Sequence, residues 1–289
     1  MHPTLYSFDG ITLYTYGLMI SVGFLLSFVL FLTELKRRSL SVDTGIDFAF
    51  WVLLSAIAGS RLVYVLLNFS YFGRYPLKIL MIWEGGLVWY GAFLGALAAT
   101  LIYFRIKKLD GWLWADIAIP YVALGQGIGR IGCLMAGCCY GRPTDLPWGI
   151  TFSVSEIAPL GVALHPTQVY EMLFNFMIFA VLFSRRNRAA FRGQQILSYV
   201  FLYGATRAIV EVFRGDPRGV WLGGAVSTSQ LISAVAVAAG IILYFKIRVK
   251  NLIAPVDTAS VAARGVRPND PENKPSKRPG KKRPKNDRS

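Results

Sequence analysis

Gly129-Arg130-Ile131-Gly132-Cys133-Leu134-Met135-Ala136-Gly137-Cys138-Cys139-Tyr140-Gly141-Arg142 closes a long apolar run that begins at Trp112. The run from Trp112 to Leu134 reads as a membrane span. An arginine inside it is expensive, because near mid-bilayer the cost is at least ~2.5–3.5 kcal/mol. A chain keeps such a group where it is paired, hydrated or used. Glycines on both sides let another backbone or a ligand come close. The stretch therefore reads as a site, and an anion is the natural partner of its guanidinium groups.

Composition places that stretch in a bilayer. The 289 residues are 54% hydrophobic and only 16% charged, against roughly 25% charged in soluble domains. Mean hydropathy is +0.45. The formal net charge is +15, and the segment from Pro255 to Ser289 supplies ten Lys/Arg against four Asp/Glu. A pI near 9.9 raises nucleic-acid binding, but the positive-inside rule accounts for the charge and no nucleic-acid partner is expected. Three cysteines form no disulfide framework. Met1-His2-Pro3-Thr4 has no basic leader, and no small-residue cleavage site follows the first apolar run. That run is read as a retained span.

Seven runs have the length of about 20 mostly apolar residues that a crossing requires. They are Tyr14–Leu35, Asp47–Asn68, Val88–Ile106, Trp112–Leu134, Pro166–Phe183, Gln195–Phe213 and Thr228–Phe245. Basic clusters follow the first (Lys36, Arg37, Arg38), third (Lys107, Lys108), fifth (Arg185, Arg186, Arg188, Arg192) and seventh (Lys246, Arg248, Lys250). All fall on one side if every run crosses, and that side is expected to be cytoplasmic. The fold expected is thus all-α: a seven-span domain over residues 1–254, N-terminus outside and C-terminus cytoplasmic. Residues 255–289 form a basic tail with a disordered composition, read either as an anchor on anionic lipid or as a partner-binding segment.

Charges inside the spans come next. Arg61 lies deep in the second, Arg130 in the fourth, Glu171 at the start of the fifth, and Arg207, Glu211 and Arg214 in and after the sixth. The i, i+4, i+7 spacing puts the last three on one helical face, where Glu211 can pair with both arginines. Two readings stand: an ion cluster that locks helices together, or a cavity whose arginines hold an anion. Arg61, Arg130 and Arg207 outnumber the nearby acids, and in a bilayer the compensating anion is most easily a phospholipid phosphate. Asp116 and Glu84 read as hydrated interfacial groups, and Trp83, Trp89, Tyr90, Trp112 and Trp114 as interfacial aromatics.

Some patterns carry little. Gly127-x-Gly129-x-x-Gly132 matches a dinucleotide fingerprint but lies inside an apolar helical run, with no strand before it. Gly91-x-x-x-Gly95 predicts close helix packing. Cys133, Cys138 and Cys139 offer two or three soft ligands with no fourth nearby, so they read as inert thiols and no metal or other cofactor is expected.

A more specific signal lies in seven pieces taken in order. They are Tyr16-Gly17-Leu18-Met19, Gly59-Ser60-Arg61, Trp83-Glu84-Gly85-Gly86, Gly129-Arg130-Ile131-Gly132, Gly141-Arg142, His165-Pro166-Thr167-Gln168-Val169-Tyr170-Glu171, and Tyr203 through Arg214. With these pieces, residues 10–250 resemble the bacterial prolipoprotein diacylglyceryl transferase family, a seven-span, N-out family of the inner membrane. The resemblance implies transfer of the diacylglyceryl group of phosphatidylglycerol to the lipobox cysteine of a prolipoprotein signal peptide. A thioether forms and glycerol phosphate leaves.

It also implies Arg130 at the lipid headgroup, Arg207 with Glu211 as the catalytic cluster, and Tyr16, Arg61, Arg142 and His165 in substrate binding. Tyr90 stands where many members carry a histidine and takes the catalytic position there, with His165 the other candidate base. Cys133 stands where the family usually has asparagine. The alternative is a non-catalytic lipid-binding protein or transporter, against which the absence of a convincing internal repeat weighs.

Overall fold

The computed structural model describes residues 4–8, 11–155, 157–216, 220–221, 226–227, 234–235 and 237–246. A hairpin of β1 (Thr4–Phe8) and β2 (Ile11–Tyr14) leads into α1 (Thr15–Arg37). Then come α2 (Val42–Leu67), the short α3 (Phe69–Arg74), two 3₁₀ turns (Pro76–Leu80 and Ile82–Glu84), and α4 (Trp89–Ile106). α5 (Gly111–Ala136) is followed by a long connection that holds β3 (Ile150–Thr151) and β4 (Ala163–Leu164). α6 (Thr167–Arg185), α7 (Gln194–Phe213), β5 (Val220–Trp221) and β6 (Val226–Ser227) complete the order.

Six of these helices, α1, α2, α4, α5, α6 and α7, are long and apolar enough to cross a membrane. They match the first six predicted runs within a few residues. The expected seventh, Thr228–Phe245, begins outside the described residues, and its described part is a shorter apolar helix, Val237–Lys246. The chain is thus mostly helical and built for several crossings; to the all-α expectation the structure adds three two-stranded antiparallel sheets. The basic tail lies outside the described residues.

Sequence explains the helix ends. The Ser41 hydroxyl accepts from the Thr44 N–H at 3.2 Å at the start of α2. Asp110 does the same for Leu113 at 3.2 Å at the start of α5. Gly137, at φ +72°, closes α5 in the left-handed conformation that favours glycine.

Packing is by pairs. α2 lies along α4, α1 along α5, and α5 is gripped by α6 and α7. The α2–α4 pair realises the close approach predicted from Gly91 and Gly95. A methyl group at Gly91 would strike the Gly59 carbonyl, and one at Gly95 the Ser55 carbonyl. At one end of the bundle, Phe31, Phe48, Phe104 and Trp114 interlock. Trp114 is buried in that cluster, which corrects its reading as an interfacial aromatic. At the same end Glu34 gathers Arg37 (2.5 Å), Arg38 (2.7 Å) and Arg186 (3.5 Å). The basic clusters after the first and fifth predicted runs therefore meet at one end.

Asp116 is also corrected. It is buried, not hydrated, and accepts from the N–H groups of Gly193 (2.7 Å) and Ile196 (3.0 Å), so it caps α7 from a neighbouring helix. The physical reason is that the first N–H groups of a helix lack intrahelical partners.

Candidate active site

α5 ends, α6 begins and α7 ends at the opposite extremity of the bundle from Glu34. This juxtaposition brings four charged side chains from three helices together, with Glu171 at the centre. Its Oε2 lies 2.5 Å from Arg130 Nε. Its Oε1 lies 3.2 Å from Arg207 Nη1 and 3.3 Å from Arg214 Nη1. Arg207 reaches Glu211 at 2.7 Å, and Arg214 forks onto Asp216 with two 2.8 Å bonds. Glu171, Glu211 and Arg214 are buried. Removing one partner from such a lattice leaves an uncompensated charge at a cost of about 3–5 kcal/mol.

This arrangement changes the pairing expected from helical spacing. Glu211 holds Arg207, but Arg214 turns to Asp216 and Glu171. Arg130 is held by Glu171 rather than by the Glu211 face. The expected excess of guanidinium over acid also shrinks, since Arg130, Arg207 and Arg214 face Glu171, Glu211 and Asp216. Glu171 is the residue whose central place no local spacing announces. Its only sequence signal is a carboxylate in the first turns of an apolar helix, next to His165-Pro166-Thr167-Gln168.

The long connection seals this end. The Gly141 N–H donates to the His165 carbonyl (3.0 Å), His165 N–H to the Arg142 carbonyl (2.9 Å), and Arg142 N–H to the Phe213 carbonyl (2.8 Å). Arg142 is exposed, and its Nε donates to the Arg214 carbonyl at 3.1 Å, so it braces the cluster from outside. His165 Nδ1 lies 3.2 Å from the Tyr170 hydroxyl, which also accepts from Trp148 Nε1 at 2.9 Å. These three residues, with Leu173, Phe174 and Phe213, line a cavity of ≈ 430 Å³ beside the ionic cluster. Tyr16, half-exposed at the start of α1, has its backbone against Gly132, two residues beyond Arg130.

Two predicted site residues lie apart from this cluster. Arg61 is buried, and its guanidinium donates to five main-chain carbonyls: Ile79 (2.9 Å), Gly85 (2.6 Å), Gly86 (3.2 Å), Lys78 (2.6 Å) and Met81 (3.1 Å). An arginine has five N–H donors, so none is left for a headgroup. Tyr90 is half-exposed in the first turn of α4 and stacks edge-on with Trp89. No hydrogen bond or ion pair joins it to the Glu171 cluster among the described residues. The side chain of Glu84 is outside the described residues.

The three cysteines sit on the far side of Arg130. Its Nη1 is 3.7 Å from Cys139 Sγ and 4.0 Å from Cys133 Sγ. Hydrogen bonds from the Cys133 and Cys138 thiols, with Arg214 and Arg130 close by, hold the Cys139 thiol below the ordinary thiol range. The same thiol contacts push Cys138 up. Burial pushes the Asp216 carboxyl up, against the pull of Arg214.

Six apolar helices with an arginine–carboxylate cluster at one bundle end define a multi-pass membrane protein. The family model for prolipoprotein diacylglyceryl transferase matches residues 3–246. The chain is 38% identical to the phosphatidylglycerol–prolipoprotein diacylglyceryl transferase of Clostridium tetani, over 84% of this chain and 97% of that one. It is 36% identical to the same-named protein of Finegoldia magna, over 85% and 96%. A second Clostridium enzyme, from Clostridium perfringens, is 35% identical over 81% and 91%. The chain belongs to the prolipoprotein diacylglyceryl transferase family.

Proposed function

We infer that this chain moves the diacylglyceryl group of phosphatidylglycerol onto the lipobox cysteine of prolipoprotein signal peptides. The reading is carried by one observation: in a member of this family, Arg130 of α5, Arg207 of α7 and the buried Arg214 just after α7 converge on Glu171 at one end of the bundle. The family match does not favour the alternative of a non-catalytic lipid-binding protein or transporter.

The chemistry follows from the charges. The thiolate of the acceptor attacks the terminal glyceryl carbon; the C–S bond forms as the C–O bond to phosphate breaks. The departing glycerol phosphate gains negative charge, so fixed cations nearby lower the barrier. Arg130 takes the lipid phosphate, and Arg207, poised by Glu211 and Glu171, meets the charge that develops on the leaving group. A phosphate can replace carboxylate oxygens on these guanidinium groups without leaving any of them dry and unpaired. Glu171 keeps three like charges together until the lipid arrives. The ≈ 430 Å³ cavity beside His165 and Tyr170 is apolar enough to take part of an acyl chain or of a signal peptide.

Arg61 is assigned here to positioning. It fixes the loop before α4 and acts on substrate only through that loop. Arg142 and Tyr16 frame the entrance. The basic clusters support a seven-span topology in the cytoplasmic (inner) membrane, with the N-terminus and the Glu171 end outside. The tail would then lie against anionic lipid.

The test is a reconstituted reaction with phosphatidylglycerol and a lipobox peptide. Wild type is expected to form the thioether, and Arg130→Ala and Arg207→Ala to lose it while staying folded. Full activity in both variants would falsify the arginine assignment.

A further inference from the structure

We propose that Cys133, Cys138 and Cys139 form a three-thiolate site for one thiophilic divalent cation of the zinc class, with its fourth position open to the acceptor thiol. The second half of this proposal rests on the function inferred above; the first half does not.

The geometry is that of a site. Cys133 lies in the last turns of α5, and Cys138 and Cys139 follow the Gly137 cap that folds the chain back over it. The three sulfurs lie within 4.8 Å of one another. A tetrahedral zinc with bonds of about 2.3 Å needs sulfurs about 3.8 Å apart. Closing the remaining gap takes small rotations about the Cα–Cβ bonds. Among the described residues the group contains no histidine or carboxylate, so the protein offers three ligands and leaves a fourth position. Three protein ligands and one open position is the pattern of catalytic zinc, whereas structural zinc is closed by four.

The cysteine turn is held from two sides. Cys138 N–H donates to the Cys133 carbonyl at 3.2 Å. Buried Thr167 and Gln168, at the start of α6, bind the carbonyls of Cys139 (2.6 Å) and Cys138 (2.8 Å). Cys139 has φ +62°, a left-handed conformation that a non-glycine residue keeps only where its surroundings enforce it. Such enforced residues cluster at functional sites.

Charge and softness select the ion. Thiolates favour soft or borderline metals over magnesium or calcium. Three thiolates and a divalent cation sum to −1, and Arg130, shared with Glu171 and 3.7 Å from Cys139 Sγ, offsets part of it. A monovalent ion would leave twice that charge in a buried place.

The open position gives the acceptor thiol what Tyr90 does not offer. The thiol binds the metal and releases its proton to water. The metal-bound thiolate attacks the glyceryl carbon, the C–S bond forms, and the C–O electron pair leaves with the phosphate. No atom changes oxidation state at the metal. The product thioether is a weaker ligand and departs. The acceptor thiol would be the fourth ligand that Cys133, Cys138 and Cys139 lack among the described residues.

The experiment uses the full chain in detergent or nanodiscs. Metal content is measured by mass spectrometry, and added cobalt(II) reports thiolate ligation through its sulfur-to-metal charge-transfer band. We expect about one metal per chain, lost in C133S, C138S and C139S. In wild-type protein, added zinc should also protect the three thiols from maleimide labelling, a readout that needs no variant. A lipobox peptide should shift the cobalt spectrum, and the same peptide with serine for its cysteine should not. Chelation should slow transfer, with recovery on zinc.

Wild type binding no more metal than the triple Cys→Ser variant, with no protection of its thiols, overturns the site. Metal bound by the three thiols but full transfer after chelation overturns the open position alone. Metal bound and shifted by peptide, with no transfer from any phospholipid, leaves the site standing and overturns the inferred reaction.

Discussion

Arg61 and the Glu171 cluster solve one problem, a guanidinium inside an apolar bundle, in opposite ways. Arg61 spends five donors on five neutral carbonyls of its own chain. Those carbonyls belong to the connection before α4, so the arginine pins that connection. Arg130, Arg207 and Arg214 instead share one carboxylate. A shared carboxylate can be outcompeted in part by a phosphate with more oxygens and more charge. An arginine held by carbonyls builds a wall, and an arginine held by a shared carboxylate can work.

Glu171→Ala breaks this comparison hardest. It removes the carboxylate that joins Arg130 to Arg207 and Arg214, which keep Glu211 and Asp216, and a loss of about 3–5 kcal/mol is expected. Thermal unfolding of the purified protein and its yield from the membrane would show it. Wild-type stability and transfer in Glu171→Ala would mean that the cluster is not held by its central acid.

Arg207→Lys and Arg130→Lys keep the charge but lose the fork that grips phosphate. Transfer should fall about 10²–10³-fold, the usual cost of a missing transition-state donor, with the fold preserved. A kinetic comparison over phosphatidylglycerol concentration separates the two. Arg130→Lys is expected to weaken lipid binding, and Arg207→Lys mainly to slow turnover.

Arg61→Lys should act in another currency. Three donors cannot satisfy five carbonyls, and each buried carbonyl left without a partner costs about 1–3 kcal/mol. Limited proteolysis should cut the loop between Tyr75 and Val88 sooner, and the remaining intact protein should still transfer. A variant that resists cleavage like wild type but binds lipid poorly would move Arg61 into the headgroup site.

Tyr90→Phe should have the smallest effect, a fall of less than about tenfold. A general base contributes about 10²–10⁴-fold, so a loss of that size, with an altered pH profile, would return Tyr90 to the catalytic position that its place in the sequence implied.

Several features were legible without coordinates. Six spans could be read because burial in lipid demands apolar runs of a fixed length. The Gly91/Gly95 contact could be read because only glycine lets two backbones touch. Arg130 and Arg207 stood out because charge is rare in such runs. Glu171's role could not be read, since its three partners come from two other helices and no local spacing relates them. The capping of α7 by Asp116 was hidden for the same reason. Arg61's five carbonyl partners could not be read either, because main-chain carbonyls carry no sequence signature.

The amino-acid order alone therefore settled which segments are apolar enough to cross a bilayer and which charged residues are out of place in them. Hydropathy and helical period are local properties, and local reading suffices for them. The tertiary structure decided which carboxylate meets which arginine, which arginine is spent on the backbone, and that three thiols share one corner beside Arg130. Those outcomes depend on how helix ends meet, and the meeting is fixed by the packing of the whole bundle.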